Sequence, residues 1–138
     1  MDKTFVRDML KGAFDYKKPS IGIDVDGTID QAPEFFSTLT HSWPGDIHII
    51  TMRNDEASVI KTCQEFDIKY THIKLVNRFE EKSVYVKEHN ICMFFDDMPE
   101  VLVEVGYQNN CCLIRNEGNF DFDEKKYVMS RKTVIQYF

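Results

Sequence analysis

The chain has 138 residues, of which 43% are hydrophobic, and its 17 lysines and arginines against 23 aspartates and glutamates give a net charge of −6. This length and composition predict one globular domain, residues 1–138, that buries a core without disulfides or a structural metal. The acidic balance argues against a protein that binds nucleic acid by charge alone, but it leaves room for a local basic cleft. No apolar run is long enough to span a bilayer and the first residues are polar, so we expect a cytoplasmic protein with no membrane partner.

Strand-like and helix-like patterns alternate along the chain. An amphipathic segment over residues 1–18 predicts a helix that ends at Pro19. The patterns after it predict, in chain order, a strand at 21–25, a helix at 31–40, a turn at 43–46, a strand at 47–51, a helix at 56–66, a strand at 71–76, a helix at 80–89, a strand at 91–95, a helix at 99–106 and a strand at 111–115. The tail is acidic and aromatic, and a helix is expected near 124–137. The domain therefore divides into an N-terminal helix (1–19), a core (20–115) and a tail (116–138).

The order of these elements predicts the fold class. Because nearly all-apolar strands alternate with helices, the core is expected to be an α/β domain, a three-layer Rossmann-like parallel sheet with helices on both faces. Ligands of such sheets bind beyond the carboxyl ends of the strands. Candidate functional residues are therefore sought at that edge.

Polar side chains follow three of the predicted strands. The first strand runs into Asp24-Val25-Asp26-Gly27-Thr28, and the second ends at Thr51, with Arg53 two residues on. The most apolar strand ends in Asp96-Asp97, and Lys82 lies on the helix that leads to it. Four carboxylates gathered at one edge would repel one another unless a cation neutralised them, and an all-oxygen ligand set suits Mg²⁺. A lysine and a threonine hydroxyl beside such a metal indicate a phosphorylated substrate.

Each of these pieces also has a structural explanation. A lone DxDGT segment can be a surface turn or a calcium loop, an Asp-Asp pair can cap a helix, and a lone lysine is usually solvated. The functional interpretation depends on the ordered set, in which each member follows an apolar strand.

The ordered set resembles the motifs of the haloacid dehalogenase superfamily, over about residues 20–115. The first motif, DxDx(T/V), is matched by Asp24 to Thr28, and the second, a Ser or Thr after the next core strand, by Thr51. The fourth, an acidic pair, is matched by Asp96-Asp97. The third, a lysine ahead of that pair, is matched by Lys82, which we prefer to Lys87 because it is nearer the start of its helix.

The resemblance implies a phosphatase mechanism. Asp24 would attack phosphorus and form an aspartyl-phosphate, while Asp26 would act first as general acid and then as general base. Mg²⁺ would be held by Asp24, the Asp26 carbonyl, and Asp96 or Asp97.

The resemblance also assigns residues to the substrate phosphate. Thr51 and Lys82 would bind its oxygens, and Gly27 would let backbone N–H groups approach. Arg53 is either a further substrate ligand or a surface ion pair.

Family members often carry a cap domain, and this sequence has no room for one. Capless members act on large substrates such as proteins or nucleic acids, or close the site with a neighbouring subunit, so a homo-oligomer is one expectation. The Thr51-Met52-Arg53 step is similar to the phosphatase domain of polynucleotide kinases and to small nucleotidases, which makes a nucleic-acid 3′-phosphatase or a nucleotidase an alternative. The substrate size stays open.

Two alternative hypotheses propose a protein that is not a turnover enzyme. A response-regulator receiver uses the same chemical parts as a phosphoacceptor module, but its acidic pair comes first in the chain and its lysine last. A catalytically idle binding module would keep the fold without turnover. Two further residue types could bind a metal. The four histidines show no ligand spacing and are interpreted as surface or strand-flanking residues, and the four cysteines are interpreted as reduced thiols.

Overall fold

The computed structural model describes residues 18–106 and 109–115, together with residue 3 and the short segments 120–121 and 126–127. The helix expected over residues 1–18 lies largely outside these described residues. No helix within them is long and apolar enough to cross a bilayer.

Five parallel strands and four helices make up the core. The strands are β1 (Ser20–Ile23), β2 (Ile47–Thr51), β3 (His72–Leu75), β4 (Ile91–Asp96) and β5 (Asn110–Leu113), and the helices are α1 (Pro33–Ser42), α2 (Glu56–Glu65), α3 (Phe79–Glu88) and α4 (Pro99–Gly106). The strands lie in the order β3-β2-β1-β4-β5, and every neighbouring pair is parallel. The predicted fold class, a three-layer Rossmann-like α/β domain, is confirmed.

Among the described residues, two helices cover each face of the sheet. Because successive side chains of a strand point to opposite faces, Ile47 and Ile49 of β2 pack in one core cluster with residues of α1 and α2. Ile50 packs in a second cluster with residues of α3 and α4. The central strands β1 and β2 are therefore buried on both faces, whereas the edge strand β3 has exposed residues on one face.

Backbone hydrogen bonds continue past the strand ends at the carboxyl edge. The Asp24 N–H donates to the Phe95 carbonyl at 2.9 Å, and the Val76 N–H donates to the Thr51 carbonyl at 2.9 Å. The Ile114 N–H donates to the Asp96 carbonyl at 2.9 Å. These bonds extend the ladder by one residue beyond β1, β3 and β5, and the first of them fixes the backbone of Asp24.

The connections between the first four strands are short. Between residues 18 and 106, each of the three connections that join β1 to β2, β2 to β3 and β3 to β4 contains a helix of 10 residues and its loops. No second domain is inserted in this range, either after the first motif or between Thr51 and Lys82.

The tail differs from the expectation. Where a helix was expected near 124–137, Lys126–Tyr127 forms a strand, β7, paired antiparallel with β6 (Phe120–Asp121). The prediction is wrong over these two residues, and the rest of its range lies outside the described residues. Phe and Tyr favour extended backbone, and this preference outweighs a weak helical pattern in a polar segment.

Candidate active site

The chain turns sharply after β1, and this turn (Val25–Ile29) builds one wall of the site. Its residues are all buried, and Gly27 has a φ of 81°, in the left-handed region. A side chain at Gly27 would collide with the carboxylate of Asp97. The Gly27 N–H donates to the Asp30 carboxylate at 2.7 Å, which closes the turn. The expectation that Gly27 lets backbone N–H groups approach the substrate phosphate stays a prediction.

Lys82 joins two of the predicted acidic residues. It enters from the first turns of α3, is 1% exposed, and donates from Nζ to Asp24 Oδ1 and to Asp96 Oδ2, both at 2.8 Å. Thr28 donates its hydroxyl to Asp24 Oδ2 at 3.1 Å. Both oxygens of Asp24 are therefore held by donors. Lys87, on the same helix, is exposed.

Asp96 is fixed by the backbone as well. Its Oδ1 accepts from the Met98 N–H at 2.9 Å, in the loop that leads into α4, and its side chain is fully buried. Because Oδ2 accepts from Lys82, Asp96 ties the start of α4 to α3 and to the site.

Three buried carboxylates lie together at this edge. Ligand atoms of Asp24, Asp96 and Asp97 all lie within 4.8 Å of one another. Burial, and then repulsion between neighbouring carboxylates, raises the pKa of Asp24 to about 7 and that of Asp97 to about 9. Lys82 opposes both increases. Three carboxylates and one ammonium leave a charge of −3 + 1 = −2 when all are ionised.

Arg53 is bound to Asp26. Its Nε and Nη2 donate to the two carboxylate oxygens of Asp26 at 2.9 and 2.7 Å. Its Nη1 donates to the Ser58 carbonyl at 3.1 Å and to the Thr62 hydroxyl at 2.8 Å, both on α2. The carboxylate of Asp26 raises the pKa of this guanidinium. Arg53 is therefore in an ion pair, which lies within the site and is largely buried, whereas its expected role as a ligand of the substrate stays a prediction.

Thr51 lies at the end of β2, next to β1 in the sheet. It is 1% exposed, and its hydroxyl oxygen accepts from the Arg53 N–H at 3.1 Å. This bond holds the backbone of the loop that carries Arg53. Phosphate binding by Thr51 stays a prediction.

The structure brings the candidates into one neighbourhood and adds partners that the sequence analysis missed. It places Asp24, Asp96, Asp97 and Lys82 in one cluster and sets Asp26 with Arg53 beside it. The Asp26–Arg53 pair was missed because the loops after two different strands meet only in the folded sheet.

The interpretation of the histidines is wrong for His48. This residue is 3% exposed and lies within β2, where its ring stacks on that of His72 with centroids 4.4 Å apart. The two residues are far apart in sequence and become neighbours through strand register. Ligand spacing along the sequence therefore gave no signal.

Fold and site together define an α/β protein with a buried acidic cluster bridged by one lysine at the carboxyl edge of its sheet. A scan against models of known protein families finds no match, and a search of curated proteins finds no significant relative.

Proposed function

We propose that this protein is a Mg²⁺-dependent phosphomonoester hydrolase of the haloacid dehalogenase type, which acts through an aspartyl-phosphate on Asp24. The observation that carries the proposal is the cluster of Asp24, Asp96 and Asp97 around Lys82 at the carboxyl edge of a parallel sheet. Ligands of such sheets bind at this edge. With all three carboxylates ionised, the cluster has an excess of two negative charges, which a bound divalent cation would neutralise.

The donor set fits Mg²⁺. The ion prefers carboxylate, carbonyl and water oxygens, and ~2.1 Å bonds place ligand atoms about 3 to 4.2 Å apart in an octahedron. The carboxylates of Asp24, Asp96 and Asp97 lie within 4.8 Å of one another, so small adjustments bring a pair of them to one ion. Asp24, the Asp26 carbonyl, and Asp96 or Asp97 would hold it. A bound Mg²⁺ supplies charge neutralisation of the phosphate that the nucleophile must approach.

Asp24 is suited to be the nucleophile because it is buried and held from both sides. Thr28 and Lys82 each bond one of its oxygens, so the carboxylate has a fixed direction. In the first step one Asp24 oxygen bonds to phosphorus while the bond from phosphorus to the leaving oxygen breaks. In the second step water bonds to phosphorus and the Asp24–phosphorus bond breaks, which returns the carboxylate.

Asp26 would move the protons of both steps, and Arg53 would position it. Before the first step Asp26 must open one of its bonds to Arg53 and take up a proton. That proton goes to the leaving oxygen in the first step, and a proton of the attacking water returns to Asp26 in the second. The bidentate bond from Arg53 holds the Asp26 side chain in one orientation, and bonds to Ser58 and Thr62 hold Arg53 in turn. Arg53 is thus a positioning residue in this proposal.

Strand order favours the phosphatase over the receiver alternative. Receivers have the order 2-1-3-4-5, with the third strand in the centre of the sheet. Here the order is β3-β2-β1-β4-β5, with β1 and the Asp24 that follows it in the centre. A receiver also has no need of a second acid like Asp26, because its phosphoryl group must persist.

Phosphate release measured with and without Mg²⁺ tests the proposal. The substrates to compare are a generic aryl phosphate, phosphorylated metabolites, nucleotides and 3′-phosphorylated oligonucleotides, and the last two groups report on the narrower 3′-phosphatase and nucleotidase alternatives. We expect steady turnover that needs Mg²⁺, is abolished in Asp24→Asn, and falls by about 10² to 10⁴ in Asp26→Asn, the usual contribution of general acid–base catalysis.

The opposing result is equally specific. A protein that takes up one phosphoryl group from a small donor such as acetyl phosphate, holds it for minutes, and is unaffected by Asp26→Asn would be a receiver. A protein that binds phosphate esters without either reaction would be the idle module.

A further inference from the structure

A second cluster of metal-ligating side chains lies at the other end of the same sheet. His48 of β2 and His72 of β3 are paired in register, and their rings are stacked with centroids 4.4 Å apart and planes 6° apart. His89, just beyond α3, has its ring centroid 5.3 Å from that of His48. Three of the four histidines of the chain therefore meet near the amino end of β2, while Asp24 lies beyond the carboxyl end of β1.

Strand geometry explains why Asp46 joins them. Asp46 and His48 are two residues apart in extended chain, which places their side chains on the same face. The register puts His72 beside His48 on that face. As a result, one ligand atom from each of Asp46, His48 and His72 lies within 4.8 Å of the others.

Hydroxyl groups hold both imidazoles at Nδ1. The Nδ1 of His48 lies 2.7 Å from the Tyr85 hydroxyl, and the Nδ1 of His72 lies 2.8 Å from the Thr71 hydroxyl. The Thr71 hydroxyl donates to the Ile47 carbonyl, so it is an acceptor for a hydrogen on Nδ1 of His72. The Tyr85 hydroxyl can accept from Nδ1 of His48 in the same way, and with the hydrogen on Nδ1 of each ring, Nε2 carries the lone pair that binds a metal. Ligating histidines commonly donate their other N–H in this way.

We propose that Asp46, His48 and His72 form a binding site for Zn²⁺. Two imidazoles and one carboxylate are a donor set for a borderline transition metal, unlike the all-carboxylate cluster at the opposite edge. A tetrahedral Zn²⁺ site has ligand atoms roughly 3.3 Å apart, so ligand atoms that now lie within 4.8 Å must close by up to about 1.5 Å. Because the two rings are stacked 6° from parallel, the His72 ring must also turn so that both nitrogen lone pairs point to one ion. His72 permits this because it is exposed on the edge strand β3. Its exposure also leaves the fourth position to water.

The site is independent of the proposed phosphatase activity and is tested without it. The protein is stripped with EDTA, dialysed, and titrated with Zn²⁺ by calorimetry in excess Mg²⁺, which occupies an all-oxygen site. We expect one equivalent of Zn²⁺ to bind, with affinity at least 10-fold weaker in His72→Ala and in Asp46→Asn. Replacing a buried histidine would disturb the core, so these two partly or fully exposed positions carry the test.

His41→Ala is the matched control. His41 is also an exposed histidine beside an aspartate, with its Nε2 3.2 Å from an Asp67 carboxylate oxygen, but it lacks a second imidazole. Zn²⁺ affinity should be unchanged in this variant. The four cysteines are present in the wild type and in every variant, so a loss of affinity confined to His72→Ala and Asp46→Asn reports on the proposed site. The Nε2 resonances of His48 and His72 should shift on addition of Zn²⁺. Equal affinity in wild type and His72→Ala, or no Zn²⁺ retained by the wild type, would overturn the proposal.

Discussion

The charge balance of the acidic cluster depends on one side chain, Lys82. Its ammonium group bonds Asp24 and Asp96 in the interior, where neither water nor salt screens the charges. Removing one partner of a buried ion pair leaves an uncompensated charge and costs roughly 3 to 5 kcal/mol. Lys87 is exposed on the same helix, so it provides a comparison at equal charge.

The first prediction contrasts these two lysines. Lys82→Ala should abolish Mg²⁺-dependent phosphate release and lower the free energy of unfolding, whereas Lys87→Ala should leave both within experimental error. Rates are compared per folded protein, with circular dichroism reporting the folded fraction. Loss of activity in Lys87→Ala together with an active Lys82→Ala would show that the third motif is assigned to the wrong lysine.

The second prediction separates the two interpretations of Arg53. If Arg53 positions Asp26, Arg53→Gln should lower kcat by about 10- to 10³-fold and change KM little, because an interaction that acts through the general acid matters mainly in the transition state. If Arg53 binds the substrate phosphate directly, KM should rise instead. Arg78→Gln, which removes an exposed arginine at the start of α3, is the control of equal charge.

At the scale of an element, the Val25–Ile29 turn packs against the acidic pair that follows β4. Asp26 is still extended, with φ −73° and ψ 127°, and the chain leaves β-strand geometry at Gly27, with φ 81° and ψ −4°. This conformation, and the contact with Asp97, both require the absence of a side chain. The turn and the acidic pair after β4 therefore depend on each other.

The third prediction tests that dependence with two glycines. Gly27→Ala should destabilise the fold by roughly 1 to 3 kcal/mol, because a left-handed φ is strained for alanine, and it should displace Asp97. The stabilisation of the protein by Mg²⁺ in thermal unfolding should then be lost. Gly106→Ala at the end of α4 should behave like wild type, because its nearest new contact is an ordinary 3.5 Å to Cys111. A normal Mg²⁺ response in Gly27→Ala would contradict the proposed coupling.

The elements themselves were largely predictable from the sequence. The bounds of β2 and α4 agree with the expectation to the residue, because turn residues or a proline bracket a clear pattern in each case. The contacts of Arg53 with Asp26 and of His48 with His72 were not predictable, because they depend on strand register and loop conformation. The sequence records which residues follow a strand, but register decides which of them touch.

At the scale of the whole molecule, the strand order concentrates negative charge at one buried edge. With β1 central and β4 beside it, Asp24 and the Asp96-Asp97 pair are forced together. The pKa values of Asp24 and Asp97, about 7 and about 9, lie above the 3.8 of an unperturbed aspartate. Between these values the folded chain keeps protons that the unfolded chain has released. Without metal, the free energy of unfolding should therefore fall as pH rises from about 4 to about 9.

The fourth prediction follows from that repulsion. In EDTA at pH 8, Asp97→Asn should raise the free energy of unfolding, on the order of 1 to 3 kcal/mol, because Asp97, with a pKa of about 9 in the buried cluster, must take up a proton on folding at this pH, and asparagine carries no such cost. Mg²⁺ should raise the melting temperature of the wild type at this pH, and of the variant much less, because the variant has lost a ligand and part of the charge that attracts the ion.

Glu104→Gln, at an exposed position of α4, removes the same charge far from the cluster and should change neither quantity. Thermal unfolding in EDTA and in Mg²⁺ at pH 5 and pH 8 measures all of these effects. A variant less stable than the wild type in EDTA at pH 8 would mean that Asp97 contributes packing or hydrogen bonds that outweigh its charge, and the electrostatic account of the site would be wrong.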